Sequence, residues 1–318
     1  MKVAFLGNAH IHTQDYARAC LDDPRVTIVG AAAIETTPYA FPADVALFEH
    51  ADELPDHDLC VVTSDIASHP ELVDLVRAPH VFVEKPLGVS EDRARTVAGV
   101  IERSGARFHT GLFLRHGDPV RRLRDLLRTD TVGAVHSIEL RYAHPGLTDG
   151  WLRDWSAHMD PNRMGYGVFG DLAAHLIDLV RWCGGPDGGA LTVDDCDLKM
   201  VDGIDAAGTA RLRSSSGFPV SLGAGALAAG RELTLRFVCE KGTLAIENDA
   251  LVRTGEGEAR QVLTEPADLT PKAGFEAELN AIAEGRSSEG ATLDDMIAVN
   301  AVLDALYALA RRSNAAQL

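Results

Sequence analysis

The chain has 318 residues, 46% apolar and 24% charged, the balance of a soluble globular protein long enough for about two domains. A formal net charge of −17 argues against a nucleic-acid surface or an anionic membrane as partner. Five cysteines, odd in number and without a C-x-x-C pair, argue against a disulfide framework or a zinc site and read as reduced, mostly buried thiols of a cytoplasmic protein. The amino-terminal apolar run is too short for a signal peptide, and no later run is long enough to span a bilayer.

In chain order, Lys2 to Leu6 reads as an apolar strand running directly into Gly7-Asn8-Ala9-His10-Ile11-His12. Asp15 to Leu21 is helical in pattern, Val26 to Ala33 is a second strand, Asp58 to Ser64 a third, and His69 to Arg77 a helix. Val81, Phe82 and Val83 form a short apolar run that fits a parallel strand buried on both faces. The run stops at Glu84-Lys85-Pro86, so two charged side chains stand at the carboxyl end of a strand, where open α/β sheets bind ligands. Proline ends the strand, and a Lys-Pro bond is one of the few that can be cis. Lysine is scarce, five among thirty basic residues, and unlike arginine it can release a proton when desolvated. From these residues alone, a strand-ending salt bridge and a functional lysine are equally good readings. Ser90 is placed to cap a further helix, and Arg107 to Leu114 is one more strand. Strands alternating with helices at this spacing predict a doubly wound parallel sheet, ending near residue 117.

A sheet of that kind starting at residue 2 usually holds a dinucleotide. The three glycine positions of the G-x-G-x-x-G fingerprint are Gly7, Ala9 and His12 here. Alanine is a mild replacement, whereas histidine puts a ring where helix and strand normally close up. Backbone N–H groups and the helix dipole could still hold a phosphate, with His10 and His12 either donating to it or filling space. A metal site built from this pair is not expected, since no third ligand lies nearby in sequence. The acidic residue that holds the adenosine ribose belongs near Ala33, and Glu35 lies just beyond it. No lysine or arginine occurs between Arg25 and Arg77, which favours NAD over NADP.

Residues 118–318 read as a second domain. Pro119 to Leu127 is an amphipathic basic helix, and Val135 to Tyr142 alternates like a strand. A long irregular stretch, His144 to Val168, contains Trp151, Trp155, His158 and Tyr166; its length suggests function and its tryptophans argue for order. Gly170 to Trp182 is a helix, and Leu191 to Thr264 is a series of short strands that fits a largely antiparallel sheet. Helices over about 275–284 and 293–311 close the chain, the last mainly for packing. In the helix after Gly170, Asp171 and His175 are four apart and share a face, beside an apolar face of Leu172, Leu176, Leu179 and Val180. A helix-capping Asp171 and a satisfied core His175 account for the pair as well as a functional role does.

Glu84-Lys85-Pro86 after an apolar strand, followed in the next domain by Asp171-Leu-Ala-Ala-His175, resembles the Gfo/Idh/MocA family over nearly the whole chain. The resemblance implies an α/β plus α+β fold. A Rossmann-type doubly wound parallel sheet would span 1–117. An open-faced, mostly antiparallel sheet over 118–318 would bind substrate and form a homodimer or homotetramer. The family's activity is that of an NAD(P)-dependent oxidoreductase acting on a sugar, cyclitol or related polyol, here with NAD favoured. By matching position, Lys85, Asp171 and His175 would be the catalytic set. His175 would act as general base, Lys85 would hydrogen-bond the same oxygen, and Asp171 would bind a neighbouring hydroxyl or orient the imidazole. Thr63, Ser64 and His69, together with Glu84 and Trp155, would line the cofactor. Arg115, Arg153, His158 and Tyr166 would be candidates for substrate contact, Tyr166 standing in the middle of what is often a glycine triplet. The same resemblance admits a redox-assisted, NAD-dependent glycoside hydrolase and a non-enzymatic sugar or nucleotide sensor.

Overall fold

The computed structural model describes residues 1–129, 131–184, 189–255 and 257–315. In chain order they form β1 (Lys2–Leu6), α1 (Thr13–Asp22), β2 (Thr27–Ala32), β3 (Leu47–Phe48), β4 (Leu59–Val62), α2 (His69–Val73), β5 (His80–Val83), α3 (Glu91–Ser104) and β6 (Arg107–Thr110). Then follow α4 (Asp118–Leu127), β7 (Val135–Ala143), α5 (Pro161–Met164), α6 (Val168–Cys183), β8 (Leu191–Val201), β9 (Ile204–Ser214), β10 (Pro219–Gly225) and β11 (Glu232–Cys239). The last elements are β12 (Gly242–Glu247), β13 (Ala250–Thr254), β14 (Gln261–Val262), α7 (Pro271–Ala283) and α8 (Leu293–Ala315). The expected boundary near residue 117 is crossed more than once. One compact unit comprises Met1–Phe113, Trp151–Tyr166 and Thr270–Asn300; the other comprises Leu114–Gly150, Gly167–Leu269 and Ala301–Leu318.

The first unit is built on a six-stranded, all-parallel sheet in the order β3-β2-β1-β4-β5-β6. Its inner strands are short runs of β-branched and other apolar residues, such as Leu59-Cys-Val-Val62, buried on both faces as a helix-covered sheet requires. One face packs Leu6, Val62 and Val83 against Val97 and Ile101 of α3. The other packs Phe5, Val61 and Phe82 against Tyr16 of α1 and Phe275 and Leu279 of α7. Each such fully buried side chain contributes roughly 1.5–3 kcal/mol. Ser90 caps α3 as expected, its hydroxyl accepting the Arg93 N–H at 3.3 Å, and Gly105 ends that helix in the left-handed conformation. Several elements are shorter than the sequence suggested, α2 and β6 most of all. Helix α2 stops at Val73, and Pro79 allows no continuation into β5. Strand β6 stops at Thr110, and at the following Gly111 the backbone passes so close to Glu84 that a Cβ would lie 2.8 Å from its Oε1. The stretch Trp151–Tyr166 is ordered into three short helical turns, and its Ala157 and Met164 pack against Ala9 and Ile66.

The second unit is built on an eight-stranded sheet in the order β14-β13-β12-β11-β7-β10-β9-β8, antiparallel except where β10 runs alongside β7. Helix α6 lies against β7, β9 and β10 with almost every residue buried. Near its end the Trp182 ring receives the guanidinium groups of Arg115 and Arg124, at 5.2 and 4.2 Å from its centre. Exposed side chains of the sheet pair across strands: Arg211 with Asp195, Arg213 with Asp194, Arg236 with Glu139 and Arg141 with Glu232. Exposed pairs of this kind contribute about 0–1 kcal/mol each. No helix among the described residues is long and apolar enough to cross a membrane.

Candidate active site

The turn after β1 is where the first unit becomes chemically specific. Gly7 has φ +79°, and a Cβ there would stand 2.6 Å from the Ser64 backbone, so glycine is required both for conformation and for space. Its N–H donates to Ala32 O at 2.9 Å, and its carbonyl accepts from Thr63 Oγ1 at 2.9 Å, which ties the carboxyl ends of β1, β2 and β4 together. Asn8 is buried and holds the next loop: its Oδ1 accepts the Glu35 N–H at 2.9 Å and its Nδ2 donates to Glu35 O at 3.0 Å. Glu35 is therefore pinned beside the turn although it lies past the expected position.

The amides that open α1 are already engaged. His10 N–H donates to Thr63 O at 2.9 Å, Ile11 N–H to His158 Nε2 at 3.1 Å, and His12 N–H to His10 Nδ1 at 3.2 Å. His12, at the third fingerprint position, has a partner that explains its presence: its Nδ1 lies 2.8 Å from Glu84 Oε1. Tyr16, one helical turn on, donates to the same oxygen, and Lys85 N–H donates to Oε2 at 2.6 Å. Burial would push the Glu84 carboxyl up, but His10, His12 and Lys85 hold it well below the ordinary glutamate value. Glu84 also corrects the reason for expecting no metal. It brings a third donor from 72 residues away, and the ligand atoms of His10, His12 and Glu84 lie within 4.8 Å of one another. In this structure Oε1 takes the Tyr16 proton and Oε2 the Lys85 N–H.

Around this centre, Ser64 Oγ donates to Asp65 O at 2.8 Å. His69 places Nδ1 3.0 Å from Leu87 O, and burial pulls its pKa down to about 4. Lys85 is completely buried at the carboxyl end of β5, and the Lys85–Pro86 bond is cis. Trp155 and His158 are buried with their rings perpendicular, 6.5 Å apart. Arg163 reaches Glu35 Oε1 at 2.5 Å and Asp65 Oδ2 at 2.6 Å. Tyr166 is buried, its hydroxyl donating to Asn300 O at 3.4 Å and accepting from Asn300 Nδ2 at 3.3 Å.

In the second unit, Asp171 and His175 lie on consecutive turns of α6. His175 is buried with its ring edge-on to Tyr142, centroids 5.8 Å apart; Asp171 is half-buried. The start of the helix has a cap from outside it. Asp205 of β9 supplies it: its Oδ1 accepts the Phe169 N–H at 3.0 Å, and its carboxylate also accepts the Gly167 N–H. Tyr307 of α8 accepts the Gly170 N–H at 3.0 Å and donates its own proton to Asp205. Burial pushes the Asp205 pKa up to about 6, with Asp171 adding to the shift and the hydrogen bonds from Tyr307, Phe169 and Gly167 opposing it. The folded-state value lies above the unfolded one, so the folded protein holds the extra proton between about pH 4 and 6. Stability should fall as pH rises through that window, by a contribution on the order of 3 kcal/mol. Urea unfolding of Asp205→Asn beside the parent chain measures this. The stability difference between the two should change across the window, and a constant difference would sink the assignment.

Arg115 does not stand free for a substrate: its Nε and Nη2 grip Asp178 at 2.8 and 2.5 Å, both residues buried. Arg153 lies exposed in a helical turn. The fold thus gathers the Gly7–His12 turn, Glu35, Thr63, Glu84 and His158 in the first unit, and sets Asp171 and His175 on one helix in the second. Sequence reasoning missed Tyr16, Asp65, Arg163, Asp205 and Tyr307. Only Tyr16 had a local signal, lying four residues after His12 on the same helix face.

Residues 120–245 match the family model described as the GFO/IDH/MocA C-terminal domain. That stretch is similar to the family's C-terminal domain. Among curated proteins it is 27% identical over 138 residues to inositol 2-dehydrogenase of Ralstonia nicotianae, covering 42% of this chain and 37% of that one. It is 29% identical over 136 residues to glucose-6-phosphate 3-dehydrogenase of Bacillus subtilis, covering 42% and 39%. The chain thus spans well under half the length of either relative. Its fold is similar to scyllo-inositol dehydrogenase from Lactobacillus casei, solved with NAD(H) and scyllo-inositol. That likeness has a TM-score of 0.76 and 19% identity, and covers 98% of this chain and 97% of the other.

Proposed function

We propose that the chain is an NAD-dependent oxidoreductase that moves a hydride between nicotinamide and a carbinol carbon of a sugar, cyclitol or related polyol. The observation that carries the reading is Lys85, a lysine wholly withdrawn from water at the carboxyl end of a strand in an all-parallel sheet. Support comes from relatives named for inositol and glucose-6-phosphate, and from a fold shared with a protein solved with NAD(H). NAD, when bound, supplies the hydride acceptor. The residues of this chain supply the rest. The Gly7–His12 turn and the start of α1 would hold the pyrophosphate, and Glu35 the adenosine ribose. Lys85 would hydrogen-bond the reacting oxygen and stabilise its developing charge, His175 would take its proton, and Asp171 would orient the imidazole or hold a neighbouring hydroxyl. Five free, buried cysteines support a cytoplasmic setting. A homodimer or homotetramer completes the proposal.

The turn fits a pyrophosphate in its backbone path, with the required glycine and a helix beginning behind it. Its donors fit only after a rearrangement, because His158 occupies the Ile11 N–H. Saturating NAD should therefore raise the thermal midpoint, by the equivalent of about 2.7 kcal/mol at a hundredfold excess over Kd. His158→Ala, which frees that amide, should raise it further at equal NAD. If neither NAD nor NADP shifts either chain, the oxidoreductase reading fails. The self-engaged amides then favour the non-enzymatic sensor.

A further inference from the structure

We infer that Arg163 sets how strongly the dinucleotide site discriminates a ribose 2′-hydroxyl from a 2′-phosphate, that is, NAD from NADP; the inference rests on the function proposed above. The sequence offers no lysine or arginine between Arg25 and Arg77, so the adenosine end of the site looks devoid of a permanent positive charge. The fold brings a cation there from far along the chain. Arg163 sits on α5, and its Nη2 lies 2.5 Å from Glu35 Oε1 and 2.6 Å from Asp65 Oδ2, with Nε 2.9 Å from the same Asp65 oxygen.

Each partner is itself fixed. Asn8 clamps the Glu35 backbone through two hydrogen bonds, and Asp65 Oδ1 accepts from Ser68 N–H at 3.0 Å and Ser68 Oγ at 2.8 Å. The short helix carrying Arg163 is held at both ends. Asp160 caps its start by accepting the Asn162 N–H at 2.9 Å, and at its end a Cβ on Gly165 would lie 2.5 Å from the Val89 backbone. The guanidinium is therefore preorganised, and it remains partly open to solvent.

The charge count decides the direction. Two carboxylates and one guanidinium leave a net charge of −1 beside Asn8 and the phosphate turn. A ribose hydroxyl needs only a carboxylate acceptor, which Glu35 provides. A 2′-phosphate brings about −1.5 to −2 of its own. It meets repulsion from the two acids, and it also meets a fixed arginine that it can pair with in place of Glu35. Without Arg163 the same spot carries −2 and no cation. NAD is then little affected, while NADP loses its one attractive partner.

The test is calorimetric titration of the full chain with NAD and, separately, NADP, which reads binding without turnover. The parent chain should bind NAD more tightly than NADP. Arg163→Gln should weaken NADP by about tenfold or more, the worth of a hydrogen bond to a charged group, and change NAD by less than about threefold. Arg163→Lys, which keeps the charge, should recover part of the NADP loss. Glu35→Gln should move the ratio the other way, tightening NADP and weakening NAD. Retained NAD affinity in the Arg163 variants, and tightened NADP in Glu35→Gln, show in the same experiment that each is folded. If Arg163→Gln weakens both dinucleotides equally, or neither, the inference is overturned and the proposed function stands. If the parent chain binds neither dinucleotide, both fall.

Discussion

Lys85→Ala is expected to lower turnover of a responsive polyol by about 10²–10⁴-fold, the range for losing a positioned proton donor or a stabiliser of developing charge. On the roles proposed above, His175→Ala should do the same, and the double variant should cost little more than either alone, because groups that act on one oxygen act as a unit. Initial rates of NADH formation across a panel of inositols and monosaccharides measure this, with kcat and KM resolved separately. The Lys85 side chain is completely buried next to the ionised Glu84, so the alanine variant could lose stability for a reason unrelated to chemistry. Lys85→Met keeps the volume without the charge and should show the same loss of kcat. Full turnover in the Met variant would exclude Lys85 from the reaction.

Gly167→Ala is expected to destabilise the chain by about 2–4 kcal/mol, far more than an exposed substitution, through overpacking and disturbed hydrogen bonds. The cause is space and not backbone conformation: a Cβ at Gly167 would lie 2.0 Å from Asp205 Oδ1, the atom that receives the Phe169 N–H. The methyl group would push the Asp205 carboxylate off the start of α6, and with it the frame that orients Asp171 and His175. Urea unfolding gives the magnitude. A loss under about 1 kcal/mol would mean that Asp205 moves aside at little cost.

How much of this was legible in the sequence follows from how local each feature is. The strands of the parallel sheet announced themselves as apolar runs, and α6 did so by its period, because burial on a sheet imposes those patterns residue by residue. Strand β3 has two residues and leaves no pattern to read. His12 looked like damage to a fingerprint, since the carboxylate it serves lies 72 residues away. The stretch before α6 kept its meaning hidden for the same reason. His158 meets Ile11 across 147 positions, and Arg163 meets Asp65 and Glu35 across 98 and 128. The argument from an absent cation near Glu35 was sound for neighbours in sequence and missed the arginine supplied from elsewhere.

The return of Thr270–Asn300 to the first unit has a consequence for how the protein is made. Phe275 and Leu279 complete the packing around Phe5, Tyr16 and Phe82, so the parallel sheet lacks part of one covering layer until synthesis has passed Leu279. During that interval the nascent chain presents a sticky aromatic surface. Contacts of such long sequence separation are slow to form, and surface left open meanwhile invites association with other unfinished chains. The order of synthesis therefore makes the late helix α7 a gatekeeper of solubility, and chaperone holding of the early sheet is the natural remedy.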